Sequence, residues 1–255
     1  MDSPVSDRWD PASVRDVPGA DTIVISQLRF SWAGSGRTLL DMDELRVAPG
    51  ERVFLFGPSG SGKSTLLSLI GGLVVPQSGA VRILDCDITD MTGSARDRFR
   101  ADHIGFIFQM FNLIPYLSVL ENVCLPCGFS ARRRMHAART TGGVQAEALR
   151  LLEHLDMGGT DILRRQVTDL SVGQQQRVAA ARALIGAPEL VIADEPTSSL
   201  DADRRAAFLD LLFRECERDR SALVFVSHDA SLAPRFDRTI RLAGINRATG
   251  NGGGR

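Results

Sequence analysis

Residues 52–70 constrain this chain more than any other stretch: the apolar run RVFLF, the loop GPSGSG and the stretch KSTLLSLI follow one another without a break. A short apolar run closed by glycine reads as a buried strand, and the apolar spacing after Lys63 reads as a helix. Further strands are predicted in TIVISQLRF (22–30), HIGFIFQ (103–109), ELVIADE (189–195) and ALVFVSHD (222–229), with helices near 144–155, 172–185 and 202–217. Gly158 and Gly159 stop the first of these three helices. Near-continuous apolar strands suit a mostly parallel sheet covered on both faces, and their alternation with helices predicts a layered α/β core. No clear strand is legible from about 110 to 170, so a mostly helical lobe is expected to be inserted there.

Such a core needs apolar material, and 44% hydrophobic residues over 255 positions supply it for a single domain, expected over 21–245. Pro, Asp and Ser dominate residues 1–20 and NRATGNGGGR closes the chain, so both ends are predicted to be flexible tails. The net charge of -1 gives no global positive field to attract nucleic acid. Acidic residues stand near the N-terminus where a secretory signal needs basic ones. The apolar stretch LLSLIGGLVVP falls short of the ~18 residues of a membrane span, so any work at a membrane is expected to go through another chain. Four cysteines (Cys86, Cys124, Cys127, Cys216) are too few for a disulfide scaffold and fit a reducing compartment. Cys124 and Cys127 have CxxC spacing, but no second pair or nearby His completes a zinc site, and they read as structural thiols.

The glycine loop fits Gly-x4-Gly-Lys-Ser/Thr through Gly57, Gly62, Lys63 and Ser64. Glycines let successive backbone N–H groups curl around a polyphosphate, and the helix that follows adds the partial positive charge of its N-terminus. Gly57, Pro58, Ser59, Gly60, Ser61, Gly62, Lys63, Ser64 and Thr65 are therefore predicted to cradle phosphates, with Lys63 reaching the terminal ones and the Ser64 hydroxyl facing Mg2+. Lys63 is the one lysine beside 29 arginines. A compact ammonium on a flexible stem and a planar fork are not interchangeable in so tight a loop.

The apolar strand ELVIADEP ends in two carboxylates, Asp194 and Glu195. These read either as a solvated strand end or as the second half of a phosphate site, in which Asp194 holds magnesium through water and Glu195 polarises the attacking water as general base.

A dozen residues upstream, LSVGQQQRVAAARAL (170–184) resembles the signature helix of ATP-binding cassette (ABC) ATPases, and Gln109 in FIFQ, the turn SSLD (198–201) and His228 in VFVSHD follow that family's order. The resemblance covers about residues 22–242. It implies a P-loop NTPase fold: a three-layer α/β core with a mostly parallel sheet, an antiparallel β subdomain and an inserted helical lobe. It also implies roles. Trp32 resembles the aromatic that stacks on adenine, with a sheet-edge cover as the alternative. Gln109 resembles the residue that senses magnesium and the attacking water, and His228 the switch histidine at the γ-phosphate. Ser171, Gly173 and Gln174 match the signature that contacts ATP held by the other subunit, and Asp201 matches the aspartate of the turn that crosses the dimer interface. Val172 departs from the pattern where the first of two glycines usually stands; modest retuning is expected from it.

The same resemblance implies a Mg-dependent ATPase that works as a head-to-tail pair, expected to be a homodimer, with two ATP between the subunits. Residues 104–126 resemble most closely the cassettes of lipoprotein release, macrolide-type export and division-associated permeases, although Ser198 and Ser199 replace that subgroup's usual Gly-Asn. The implied partner is an integral membrane permease at the inner, cytoplasmic face of the cell membrane, received on the run 111–126 with Phe111, Leu113 and Tyr116 as groove residues; the alternative for these side chains is the core of the lobe itself. The arginines of ARRRMHAAR (131–139) read as a solvated face. Two other readings stay open: an ATP-driven clamp that regulates a membrane protein without transport, and a soluble cassette acting on DNA or ribosomes. The last is disfavoured by the lack of a second cassette, a coiled-coil insertion, paired zinc CxxC motifs or basic excess.

Overall fold

The computed structural model describes residues 20–198 and 200–248. Most of both expected tails (1–19 and 249–255) lies outside the described residues, as does Ser199. The chain forms two compact units, one made of the residues up to 100 together with those from 224 onward, the other of residues 101–223.

Along the first unit run β1 (Ile23–Phe30), β2 (Leu40–Val47), β3 (Arg52–Phe56), α1 (Lys63–Ile70), β4 (Ser78–Ile83), β5 (Cys86–Asp87) and α2 (Gly93–His103). The second carries β6 (Ile104–Ile107), α3 (Val119–Phe129), α4 (Ala131–Thr141), α5 (Val144–His154), α6 (Thr160–Leu163), α7 (Val172–Leu184), β7 (Leu190–Asp194) and α8 (Ala202–Asp219). The chain then returns to the first unit through β8 (Ala222–Ser227), β9 (Arg238–Arg241) and α9 (Leu242–Ile245).

In the first unit, β2, β1, β4 and β5 form an antiparallel sheet in that order. Ile23, Ile25, Leu28 and Phe30 are buried on β1, as are Leu40, Met42, Leu45 and Val47 on β2, while charged residues between them face out. That alternation marks a sheet with one wet face. β3 instead buries Val53, Phe54 and Leu55 in succession and pairs in parallel with β9, Val53 opposite Arg238 and Phe56 opposite Arg241. Phe54 packs against Phe225 and Phe236, with ring centroids 6.3 and 5.1 Å away, and this cluster anchors the strand that leads into the glycine loop.

The second unit centres on α7, which packs against α3, α5, α8 and β6 and buries every residue from Val178 to Leu184. β6 and β7 run parallel, Ile104 opposite Leu190 and Ile107 opposite Ala193. Gly105 is needed where β6 meets the end of α7: a Cβ there would lie 2.3 Å from the Ala183 carbonyl oxygen. The lobe expected over 110–170 falls within this unit as α3 to α6.

The structure changes several expectations. β2, β4, β9 and the polar helices α2 and α4 were not legible as separate elements. α5 ends before Gly158, through the left-handed Asp156 at φ 52°. Arg133, expected on a solvated face, is 2% exposed, and its Nη1 donates to the carbonyls of Ala183 and Ile185 at the end of α7. Asn246, expected to open a flexible tail, is buried: it donates to the Leu39 carbonyl and accepts from the Asp41 amide, each at 2.9 Å.

Candidate functional site

In the first unit, β3 delivers the chain to Gly57, which is buried, while Pro58, Ser59 and Gly60 are exposed. Gly62 turns the chain into α1 with φ 101°, a left-handed conformation, and a Cβ there would meet Leu40 Cδ2 at 2.9 Å. Glycine is the residue that fits. The Lys63 side chain is 8% exposed and folds back over the loop, Nζ donating to the carbonyls of Gly57 at 2.7 Å and Pro58 at 3.0 Å. The first turn of α1 contains no acidic residue, so nothing in it offsets the positive end of the helix. Ser64 is exposed in that turn, Thr65 is partly buried, and the buried Ser61 Oγ has no hydrogen-bond partner.

Trp32 stands beside this loop. Its ring is 48% exposed and meets Phe30 edge-on, 5.1 Å between centroids. A cavity of about 200 Å³ joins it to Gly60 and Ser61, with Arg37, Thr38 and Leu39 on the wall. This places an exposed aromatic face and the glycine loop on one hollow. Two polar side chains brace the rim: Gln77 bonds both the amide and the carbonyl of Ser31, at 2.7 and 2.6 Å, and Asn246 holds Leu39 and Asp41. Sequence reasoning missed Arg37, Gln77 and Asn246. Arg37 carried a signal, being the one charged residue between Trp32 and Leu40; Asn246 carried none. His228 is exposed just past the end of β8.

In the second unit, the parallel register of β6 and β7 ends with Ile107 opposite Ala193, and Gln109 and Glu195 each follow within two residues, beyond the ends of these neighbouring strands. Asp194 ends β7 half-buried, and the Glu195 backbone is left-handed at φ 48°, a conformation that costs a non-glycine residue about 1–2 kcal/mol. Gln109 is exposed at a tight turn in which the Phe111 amide donates to the Phe108 carbonyl at 2.9 Å. Among the described residues, no three or more His, Cys, Asp or Glu side chains gather to hold a metal by themselves. Magnesium does not need such a cage, since it keeps waters and shares phosphate oxygens with one or two protein groups. The Ser64 hydroxyl and the Asp194 carboxylate are of the right kind.

Ser171 caps α7 in a reciprocal box with Gln174, whose amide donates to Ser171 Oγ at 3.3 Å while Gln174 Oε1 accepts from the Ser171 amide at 2.9 Å. This box leaves position 172 free, and Val172 is simply exposed in the first turn. Gly173 has room, a Cβ there meeting Leu200 Cδ2 at 3.8 Å. A cavity of about 290 Å³ is lined by Ser171, Gly173, Gln174 and Leu200. Asp201 caps α8 through the Arg204 amide at 2.9 Å and pairs with the Arg204 guanidinium at 3.3 Å.

Of the expected groove residues, Tyr116 is 76% exposed and Leu113 half-buried, but Phe111 is buried; Met110, at 80%, is exposed instead. The Cys127 thiol is buried on α3, and burial, with a smaller push from Cys127, raises the Cys124 thiol to about 11. Both cysteines are free.

A family model described as ABC transporter matches residues 40–198. The chain belongs to the ABC transporter family. An uncharacterized ABC transporter ATP-binding protein of Mycobacterium tuberculosis (strain H37Rv) is 39% identical over 222 residues, which cover 86% of this cassette and 64% of that relative. The cassette thus spans under two thirds of that protein's length. The lipoprotein-releasing system ATP-binding protein LolD of Pseudomonas syringae pv. tomato is 41% identical over 201 residues, covering 79% of the cassette and 85% of LolD. Among solved structures, a dimeric post-hydrolysis state of the ATP-binding cassette MJ0796 bound to ADP and Pi superposes with a TM-score of 0.76 at 36% identity, covering 86% of this chain and 93% of that one. The fold is that of the P-loop NTPase cassettes, a mixed α/β structure with parallel and antiparallel sheets.

Proposed function

We propose that this cassette is the ATP-binding and ATP-hydrolysing subunit of an ABC transporter, energising a separate membrane permease as a head-to-tail pair. The observation that carries this reading is the hollow shared by Trp32 and the glycine loop, with the Lys63 ammonium held against that loop. Trp32 stacks on adenine, residues Gly57 to Thr65 cradle the phosphates, and Lys63 exchanges its carbonyl partners for phosphate oxygens. Magnesium, held by Ser64 and by Asp194 through water and sensed by Gln109, would supply charge neutralisation on the transferred phosphoryl group. Glu195 takes the proton of the attacking water and His228 contacts the γ-phosphate. Ser171, Gly173 and Gln174 serve ATP held by the partner cassette, and Asp201 lies at the seam between the two. The dimeric state of MJ0796 supports the pairing, and the name of the LolD relative, the ATP-binding protein of a lipoprotein-releasing system, supports the role of an ATP-binding part of a larger system. No helix among the described residues is long and apolar enough to cross a membrane, in keeping with a separate permease at whose inner, cytoplasmic side the cassette sits.

The test is a pair of variants. Lys63→Ala should lose nucleotide binding and hydrolysis; undiminished ATP turnover would contradict the assignment. Glu195→Gln should bind Mg-ATP without turning it over, and light scattering should then show a doubled mass. A species that stays monomeric with bound ATP would argue against the paired cassette.

A further inference from the structure

Arg182 lies near the end of α7, 9% exposed, and burial lowers the pKa of its guanidinium. Its fork bridges two successive main-chain carbonyls, Nη2 donating to Phe111 at 2.6 Å and Nη1 to Asn112 at 2.7 Å. Both residues are left-handed, at φ 57° and 50°, a conformation that Asn tolerates but that the bulky Phe111 does not favour. Immediately before them is the turn that carries Gln109, closed by the Phe111 amide on the Phe108 carbonyl and followed by the Asn112 amide on the Met110 carbonyl at 2.6 Å. Gln109 is exposed and its backbone is a central position of that turn, so what fixes the exit of the turn fixes where Gln109 points. Beyond Asn112, the buried Asn122 takes over, bonding Ile114, Leu117 and Ser118.

The other end of α7 is the Ser171–Gln174 box. Ser171 and Arg182 are ~16 Å apart along the helix axis at ~1.5 Å per residue. Gly105 presses β6 against the Ala183 carbonyl, so the last turn of α7 also bears on the strand that leads into the Gln109 turn. We propose that Arg182 is a positioning residue for ATP hydrolysis: it locks the Gln109 turn to the far end of the signature helix, so that a displacement of Ser171 and its neighbours moves Gln109. This rests on the reading of Gln109 as a hydrolysis-site residue.

The experiment compares Arg182→Lys, Gln109→Ala and the double variant in the full chain, with thermal unfolding run on each. Lysine keeps the charge but cannot bridge both carbonyls. Arg182→Lys should lower kcat roughly 10- to 100-fold, as a small displacement of a reacting group does, with KM and the Kd for Mg-ATP within about twofold of the unaltered protein. The double variant should be no slower than the slower single one. Normal turnover in Arg182→Lys beside a slowed Gln109→Ala, or losses that multiply, would overturn the positioning role alone. Normal turnover in Gln109→Ala would overturn the site reading and the positioning role with it. If Arg182→Lys does not fold, amide hydrogen exchange of the unaltered protein decides. Phe111 and Asn112 amides that gain protection with the first turn of α7 on adding Mg-ATP support the lock, and independent responses overturn it.

Discussion

Lys63 and Arg182 each donate to two successive main-chain carbonyls, one in each unit, yet the two contacts do different work. Lys63 reaches Gly57 and Pro58 at 2.7 and 3.0 Å, and Arg182 reaches Phe111 and Asn112 at 2.6 and 2.7 Å. The donors differ first. An ammonium has three interchangeable protons on a flexible stem, whereas a guanidinium is a rigid fork that fills both acceptors at once. The burial is alike, one bond of each pair being buried (to Gly57 and to Phe111) and the other part-buried (to Pro58 and to Asn112), so the donor makes the difference. One contact can be exchanged for a ligand oxygen at small cost. The other is part of the scaffold.

Several measurements would sharpen that contrast or break it. The largest effect is expected for stability on removing each cation. Arg182→Met leaves the buried Phe111 carbonyl and the part-buried Asn112 carbonyl without their shared fork and should cost about 3 kcal/mol in denaturant unfolding, whereas Lys63→Met should stay within ~1 kcal/mol. Equal losses would mean that both contacts are structural. Next comes nucleotide affinity: Lys63→Arg should weaken ATP binding roughly 100-fold in calorimetry, about 2.7 kcal/mol, because the fork neither fits nor leaves the loop as the ammonium does.

A third test concerns charge buried among fixed partners, again in the second unit. Burial pushes the Glu215 carboxyl up, but hydrogen bonds from Arg150 at 2.9 Å and His154 at 2.7 Å outweigh it and hold the group below the usual carboxylate range. A folded value below the unfolded ~4.3 gives stability that is present above pH ~4.3 and lost as pH falls through the folded value. Glu215→Gln should therefore remove ~1–2 kcal/mol at neutral pH and flatten the acid limb of the stability curve. An unchanged acid limb would show that the network contributes nothing net. The smallest effect is expected at the exposed counterpart in the first unit, Asp237 with Arg52 at 2.7 Å: Asp237→Asn should cost ~0.2–1 kcal/mol and less in high salt.

The same contrast explains what the sequence made legible. The glycine loop shows because its chemistry is local: the turn, the cation and the helix start are consecutive residues. β3, β7 and β8 show because strands covered on both faces are apolar throughout. β2, β4 and β9 carry Asp, Glu or Arg between their apolar residues and exist by pairing with β1 and β3, partners that a linear reading does not supply. α4 buries little beyond Arg133 and Ala137, so its periodicity is faint. Arg182 was invisible for the same reason: the carbonyls it holds are 70 and 71 residues away, in a backbone whose first left-handed position, Phe111, has no residue type to announce it. That backbone also buries Phe111, expected in the groove, and leaves Met110 exposed.

A chain with one lysine carries its own chemical reporter. Amine-directed reagents find a single ε-amino group here, and it is the one folded over the glycine loop. At a reagent concentration where acylation is slower than closing, the labelling rate at Lys63 reads out the fraction of time its amine spends away from the carbonyls of Gly57 and Pro58. Occupation of the loop by any polyanion would register as protection of that one ε-amine, read apart from the α-amine of the chain start by mapping the labelled peptide, with no engineered probe.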